Sequence, residues 1–265
     1  MENNKIKIAI DIDEILRSKW LQFDKYYVEE FGEDSVPQEE PYCFDYFKHY
    51  KWKNTVEKVK YLKEPEETPE TINPLDYQVD ESGDSLADGV LFDKEEKVVL
   101  SAKEVYNRFM YEDYCFEIHG AAPVMYKNVD LILNNFYRKY NNVVEFYITS
   151  KENSFTIPHT LFFLSKIACK IKNYKFVETN DELWDNIDVL ITTSPEAITL
   201  KPENKTLMKL NRPYNKNIGD DITFDLGIEN PLHIADIYEN KNFEDFIGYV
   251  EPENDDNAIT TNNKE

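Results

Sequence analysis

The segment Lys7-Ile8-Ala9-Ile10-Asp11-Ile12-Asp13 constrains this chain more than any other. A short apolar run that ends on carboxylates reads as a buried strand opening onto a site at its carboxyl end. Strand side chains alternate, so Asp11 and Asp13 share a face two residues apart. A pair placed this way can bind a hard cation such as Mg²⁺, or divide labour as nucleophile and general acid/base. A plainer reading is also open: the pair is hydrogen-bonded to nearby loop amides and simply keeps the strand end ordered.

An alternating α/β rhythm surrounds this strand. Ile15, Leu16, Trp20, Phe23, Tyr27 and Phe31 recur at helical spacing and stop before Gly32. Val129 to Tyr140 reads as a helix, Val143 to Ile148 as a buried strand ending at Thr149-Ser150, and Pro158 to Lys172 as a further helix. Tyr174–Val177, Val189–Ile191 and Thr206–Leu210 are short strand candidates. Strands joined by helical crossovers predict a mainly parallel sheet with helices on both faces, and a ligand crevice at the strands' carboxyl ends. Asp11, Asp13, Thr149 and Thr192 all fall there.

Between about residues 33 and 114 the pattern is irregular. An aromatic cluster (Tyr42, Phe44, Tyr46, Phe47, Tyr50, Trp52) is followed by an acidic Pro/Glu-rich stretch from Glu64 to Asp88. The aromatics suit packing or a protein interface, or the stacking of a nucleobase. The acidic stretch suits a solvated loop or a dock for a basic neighbour. Val90-Leu91-Phe92 and Val98-Val99-Leu100, flanking Asp93 to Lys97, predict a small hairpin, and Ser101 with Glu104 predicts a capping box at a helix start. The expected organisation is a core of 1–32 and 115–250, a cap-like insertion of 33–114, and a flexible acidic tail of 251–265.

The formal net charge of −22 over 265 residues disfavours direct nucleic-acid binding and anionic membrane surfaces, and favours protein partners with basic surfaces. No apolar run approaches a membrane span, and no signal-peptide pattern opens the chain. Cys43, Cys115 and Cys169 are far apart, as reduced thiols would be. His49, His119, His159 and His233 show no metal-ligand spacing. A cytoplasmic protein, or a virion component assembled in the cytoplasm, is the expected setting.

Ile10-Asp11-Ile12-Asp13, Phe146-Tyr147-Ile148-Thr149-Ser150 and Asp188-Val189-Leu190-Ile191-Thr192-Thr193-Ser194-Pro195-Glu196 together resemble the haloacid dehalogenase (HAD) superfamily, in its 5'(3')-deoxyribonucleotidase-like branch. The Lys205-Thr206-Leu207 and Arg212 to Asn217 segments are similar to that branch as well. The resemblance implies a HAD-like three-layer α/β sandwich with a mainly parallel sheet and a large cap-like insertion. It further implies Asp11 as nucleophile, Asp13 as general acid/base, Thr149 holding phosphate with Ser150 beside it on the substrate, and Mg²⁺ bound through Asp11 and Asp13.

The departures from that pattern weigh more than the matches. Thr192 and Thr193 stand where the family supplies acidic metal ligands, and neutral hydroxyls do not replace two negative charges. The stretch Lys175 to Asn180 puts Glu178 near the place of the family's Lys, and Lys175 one strand position away faces elsewhere. Glu14 occupies a place usually given to a small residue. Gly219-Asp220-Asp221 reads as a turn rather than a displaced acidic motif. The expectation is therefore a non-catalytic structural or interaction protein on a degenerate HAD-like scaffold, with no cofactor, in a phage virion or assembly. The alternative is a Mg²⁺-dependent 5'-nucleotidase or small-molecule phosphatase.

Overall fold

A computed structural model describes residues 5–32, 45–62, 92–218 and 231–251. In chain order the elements are β1 (Ile6–Asp11), α1 (Lys19–Phe31), α2 (Tyr46–His49), β2 (Thr55–Leu62), β3 (Phe92–Leu100), α3 (Ala102–Arg108), α4 (Cys115–His119) and α5 (Val129–Tyr140). They continue with β4 (Val144–Lys151), α6 (Ile157–Lys166), β5 (Asn173–Val177), β6 (Val189–Thr192), α7 (Pro195–Thr199), β7 (Thr206–Lys209), α8 (Ile234–Tyr238) and α9 (Lys241–Ile247). Two compact units emerge: Met1–Lys51 with Phe109–Glu265, and Trp52–Arg108.

The larger unit is built on a five-stranded parallel sheet in the order β5-β4-β1-β6-β7. Its α/β class with a parallel sheet flanked by helices agrees with the expectation and is consistent with a HAD-like three-layer fold. β1 is central and both faces of the sheet are covered, which is why its sequence from Ile8 to Ile10 is apolar on both faces rather than alternating. Ile8 and Ile10 face a core completed by α5, α6, α8 and α9, through Leu133, Phe136, Phe163, Ile237 and Phe243. Ala9, Leu190 and Leu207 face the other way, against Trp184 and the Ala197–Ile198 turn of α7.

Two helices are shorter than predicted. α1 begins at Lys19 because residues 14–16 form a turn, and it ends where Gly32 adopts φ of 86°. α6 stops at Lys166 instead of Lys172, and Ala168 takes φ of 49°. The Asn134 side chain holds that turn, donating to the Ala168 carbonyl at 3.1 Å and accepting from the Lys170 amide at 2.9 Å. The apolar spacing beyond Lys166 comes from Ile167 and Ile171 reaching the core from a turn, not from a continuing helix.

The separate unit is narrower than residues 33–114. Tyr46 stacks on Trp20 with ring centroids 4.0 Å apart, and Tyr50 lies 4.7 Å from Phe23, so α2 and its flanks belong with α1. Phe109 packs on Phe23 at 5.1 Å, returning the chain to the larger unit. Tyr42, Cys43, Phe44, the Glu64 to Asp88 stretch, Gly219-Asp220-Asp221 and the tail beyond Glu251 lie outside the described residues.

In the smaller unit the predicted hairpin centred on Asp93 to Lys97 is not formed. Residues 92–100 make one strand, β3, antiparallel to β2, with Thr55 opposite Leu100 and Leu62 opposite Phe92. Backbone pairing in a two-stranded ribbon accepts a charged run that a buried sheet would reject. The Ser101–Glu104 capping box forms: the Ser101 amide donates to Glu104 Oε2 at 2.8 Å and the Glu104 amide to Ser101 Oγ at 3.3 Å.

The core's ring cluster makes the first testable consequence. Phe136 is fully buried against Tyr140, Phe146 and Phe243. Phe136→Ala should lower unfolding free energy by about 3–5 kcal/mol in urea titration; a loss under about 1 kcal/mol would contradict this packing.

Candidate functional site

The parallel register sets the site. Asp11 is level with Thr149 of β4, and Ile10 with Ile191 of β6, so Asp11 and Thr192, which end β1 and β6, lie near Thr149, two residues short of the end of β4. Asp13 follows just beyond β1, where the chain turns back so that Asp13 and Arg17 bridge. Glu14 makes this turn with φ of 58°, a left-handed conformation that a side chain rarely adopts.

Every oxygen of the aspartate pair is occupied by the protein itself. Asp11 accepts from the Ile12 amide on Oδ1 and from the Thr192 hydroxyl on Oδ2, each at 2.8 Å. Asp13 accepts from Arg17 Nε on Oδ1 at 2.6 Å and from Lys19 Nζ on Oδ2 at 3.0 Å. Thr193 donates to the Asp13 carbonyl at 3.1 Å. Thr192 and Thr193 thus both reach the site, one bonding to the Asp11 carboxyl and the other to the Asp13 main chain.

Thr149 and Ser150, expected to touch substrate, are turned to internal partners. Thr149 donates to the Lys175 carbonyl at 2.8 Å, and Ser150 to Glu152 Oε1 at 3.2 Å. The Lys175 ammonium donates to the Asp185 carbonyl at 2.6 Å, away from Asp11. Lys209, at the end of β7, is buried with its ammonium on the Ile218 carbonyl at 2.8 Å.

Three residues that sequence reasoning passed over dominate the electrostatics: Arg17, Lys19 and Glu152. Arg17 is wholly buried and also donates to Glu152 Oε1 at 2.7 Å, to the His119 carbonyl at 2.6 Å and to Thr160 Oγ1 at 2.7 Å. The available signals were modest: two cations within six residues of Asp13, and an acid two places past Ser150, just beyond β4.

Burial and charge pull the four carboxyls apart. Burial pushes Asp11 up to about 7, with the Asp13 charge adding to the rise and Thr192 opposing it. Burial likewise raises Glu14 to about 7, against its bond from the Trp20 amide. Asp13 and Glu152 are equally buried, yet Arg17 and Lys19 outweigh burial and hold both below the usual carboxylate range. Burial, then Lys19 and Arg17, drives His119 well below its ordinary value, so it is neutral.

The Mg²⁺ implied by the resemblance does not fit these donors. A hard divalent cation needs several free oxygens, carboxylates among them. Here Asp13 is taken by two cationic side chains and Asp11 by two hydrogen bonds. Among the described residues no three His, Cys, Asp or Glu side chains converge on a metal position. No helix of the described residues is long and apolar enough to cross a membrane. No family model matches the chain, and no curated protein matches it.

The raised Asp11 carboxyl has a measurable sign. The unfolded chain releases this proton near pH 4 and the folded chain near 7, so the stability it carries is complete below about 4 and lost as pH rises through about 7. Asp13 and Glu152 act oppositely: their contribution is present above about 4 and lost as pH falls through their depressed folded values. Asp11→Asn abolishes the first loss. Its melting temperature relative to the parent should climb by about 3 °C or more between pH 5 and pH 8; a difference flat across that range would refute the shift.

Proposed function

We propose that this chain is a non-catalytic structural or interaction protein on a degenerate HAD-like scaffold, working through protein partners in an assembly such as a phage virion. One observation carries the reading: both Asp13 oxygens are held by Arg17 and Lys19, so the residue in the general-acid position is a locked ion-pair member. A general acid must carry a proton and give it up. Asp13, held ionised between two cations, does neither at neutral pH.

The nucleophile position points the same way. Phosphoryl transfer depends on positioning and on neutralising charge at the transferring group. The cations near Asp11 are spent on Asp13 and Glu152, Lys175 faces other carbonyls, and the threonines supply no metal ligand. The acidic surface implied by the net charge of −22 suits basic protein partners, and a cytoplasmic or virion setting with no direct nucleic-acid contact belongs to the same proposal.

The test is a phosphatase assay on nucleoside monophosphates and an aryl phosphate with Mg²⁺. Loss of two preorganised charges, on the order of 3 kcal/mol each, lowers the rate by about four powers of ten. The expected outcome is no turnover above background, unchanged by Asp11→Asn. Ordinary enzymatic turnover that Asp11→Asn abolishes would replace this reading with the Mg²⁺-dependent nucleotidase.

A further inference from the structure

Four oxygens from four parts of the larger unit converge on one buried side chain. Asp13 Oδ1 at 2.6 Å, Glu152 Oε1 at 2.7 Å, Thr160 Oγ1 at 2.7 Å and the His119 carbonyl at 2.6 Å surround the Arg17 guanidinium. They come from the end of β1, the end of β4, α6 and α4. Two are carboxylates, one is a hydroxyl and one a carbonyl, the oxygen set of a hard-cation site. Their directions fit a planar fork: Nε takes Asp13, one terminal nitrogen takes Glu152, and the other takes the carbonyl and the hydroxyl. Glu152 lies outside every segment of the HAD resemblance that implied a ligand or reacting group.

We propose that Arg17 is a built-in cation, filling in cis an oxygen cradle selective for a guanidinium ion and holding the carboxyl end of the sheet together without a soluble metal. Three observations support it. The cradle is closed to water, with Arg17 fully buried and Asp13, His119, Glu152 and Thr160 at most 5% exposed. Glu152 Oε1 is held from three sides, since besides Arg17 it accepts from the Thr160 hydroxyl at 2.7 Å and the Ser150 hydroxyl at 3.2 Å. Two buried anions face two buried cations, Arg17 and Lys19, so the charge balances with no further ion. The inference extends the non-catalytic reading but is tested without measuring activity.

Chemical rescue decides it. Arg17→Ala in the full chain leaves two buried carboxylates with one cation, and its melting temperature should fall by about 10 °C or more. Methylguanidinium at about 10 mM should restore at least half of that loss. Methylammonium and Mg²⁺ at matched ionic strength should restore less than a quarter, and none of the three should move the parent beyond their common salt effect. Equal recovery by all three would overturn guanidinium selectivity, and a variant as stable as the parent would overturn the cradle. If Arg17→Ala does not fold, the parent answers by NMR. The Arg17 Nε–H should give a resolved, slowly exchanging resonance that equimolar Mn²⁺ does not broaden; selective broadening or fast exchange would refute the proposal. Phosphatase turnover with successful rescue would overturn only the non-catalytic reading, and failed rescue with no turnover only this one.

Discussion

The neutralisation of buried carboxylates by Arg17 is the interaction on which the rest of this site depends. An ion removed from water carries a penalty of several kcal/mol unless partners restore what hydration supplied. Arg17 and Lys19 supply this to Asp13 and Glu152, and both acids stay ionised. Nothing comparable reaches Asp11 or the Glu14 carboxyl. The Arg212 guanidinium, which approaches Glu14, bonds to its main-chain carbonyl at 2.5 and 3.1 Å instead. One limited supply of buried positive charge therefore explains both directions of shift, with two carboxyls drawn down and two pushed up by burial.

Local geometry makes this supply available. The turn at Glu14 to Arg17 reverses the chain directly after β1, which places Arg17 beside Asp13 across a single bridge and Lys19 at the first position of α1. The unusual φ at Glu14 is offset by what its side chain gains. Its Oε1 accepts from the Trp20 amide at 2.9 Å, in the first turn of α1, where the Ser18 side chain makes no cap. A carboxyl near the helix amino end is favoured by unsatisfied amides and by the dipole. Glu14 is thus both turn former and remote cap, and α1 is anchored to the site by the residue that the resemblance would have made small.

Much of the fold was legible because burial writes itself periodically. β1, β4, β5, β6, β7 and α5 follow apolar runs and spacings that a buried sheet and an amphipathic helix require. The errors came where the period ended for a reason not present locally. α6 stops at a turn fixed by Asn134, a residue 34 positions from Ala168, and β3 continues through a charged run because β2 pairs with it. The site was legible in part. Asp11, Asp13, Thr192 and Thr193 are brought together by strand ends, which motif order reveals. Glu152 meets Arg17 across 135 positions, and a buried ion pair of that separation has no period, spacing or composition to announce it.

The threonines and the arginine are two parts of one charge balance. With acids at 192 and 193, the strand ends would hold Asp11, Asp13, Glu152 and two further carboxyls against Arg17 and Lys19. Such an excess of buried negative charge is tolerable only with a soluble cation or with several protonated acids. Threonine keeps a hydrogen-bonding oxygen at each place while removing the charge. The Thr192 hydroxyl donates a hydrogen bond to Asp11 and that of Thr193 to the Asp13 carbonyl, so each contributes a donor where an ionised acid would have contributed another acceptor. A donor is what a buried carboxylate or carbonyl oxygen needs. The threonine hydroxyls and the cations on Asp13 and Glu152 therefore act together at the end of a buried sheet, the first supplying donors and the second balancing charge.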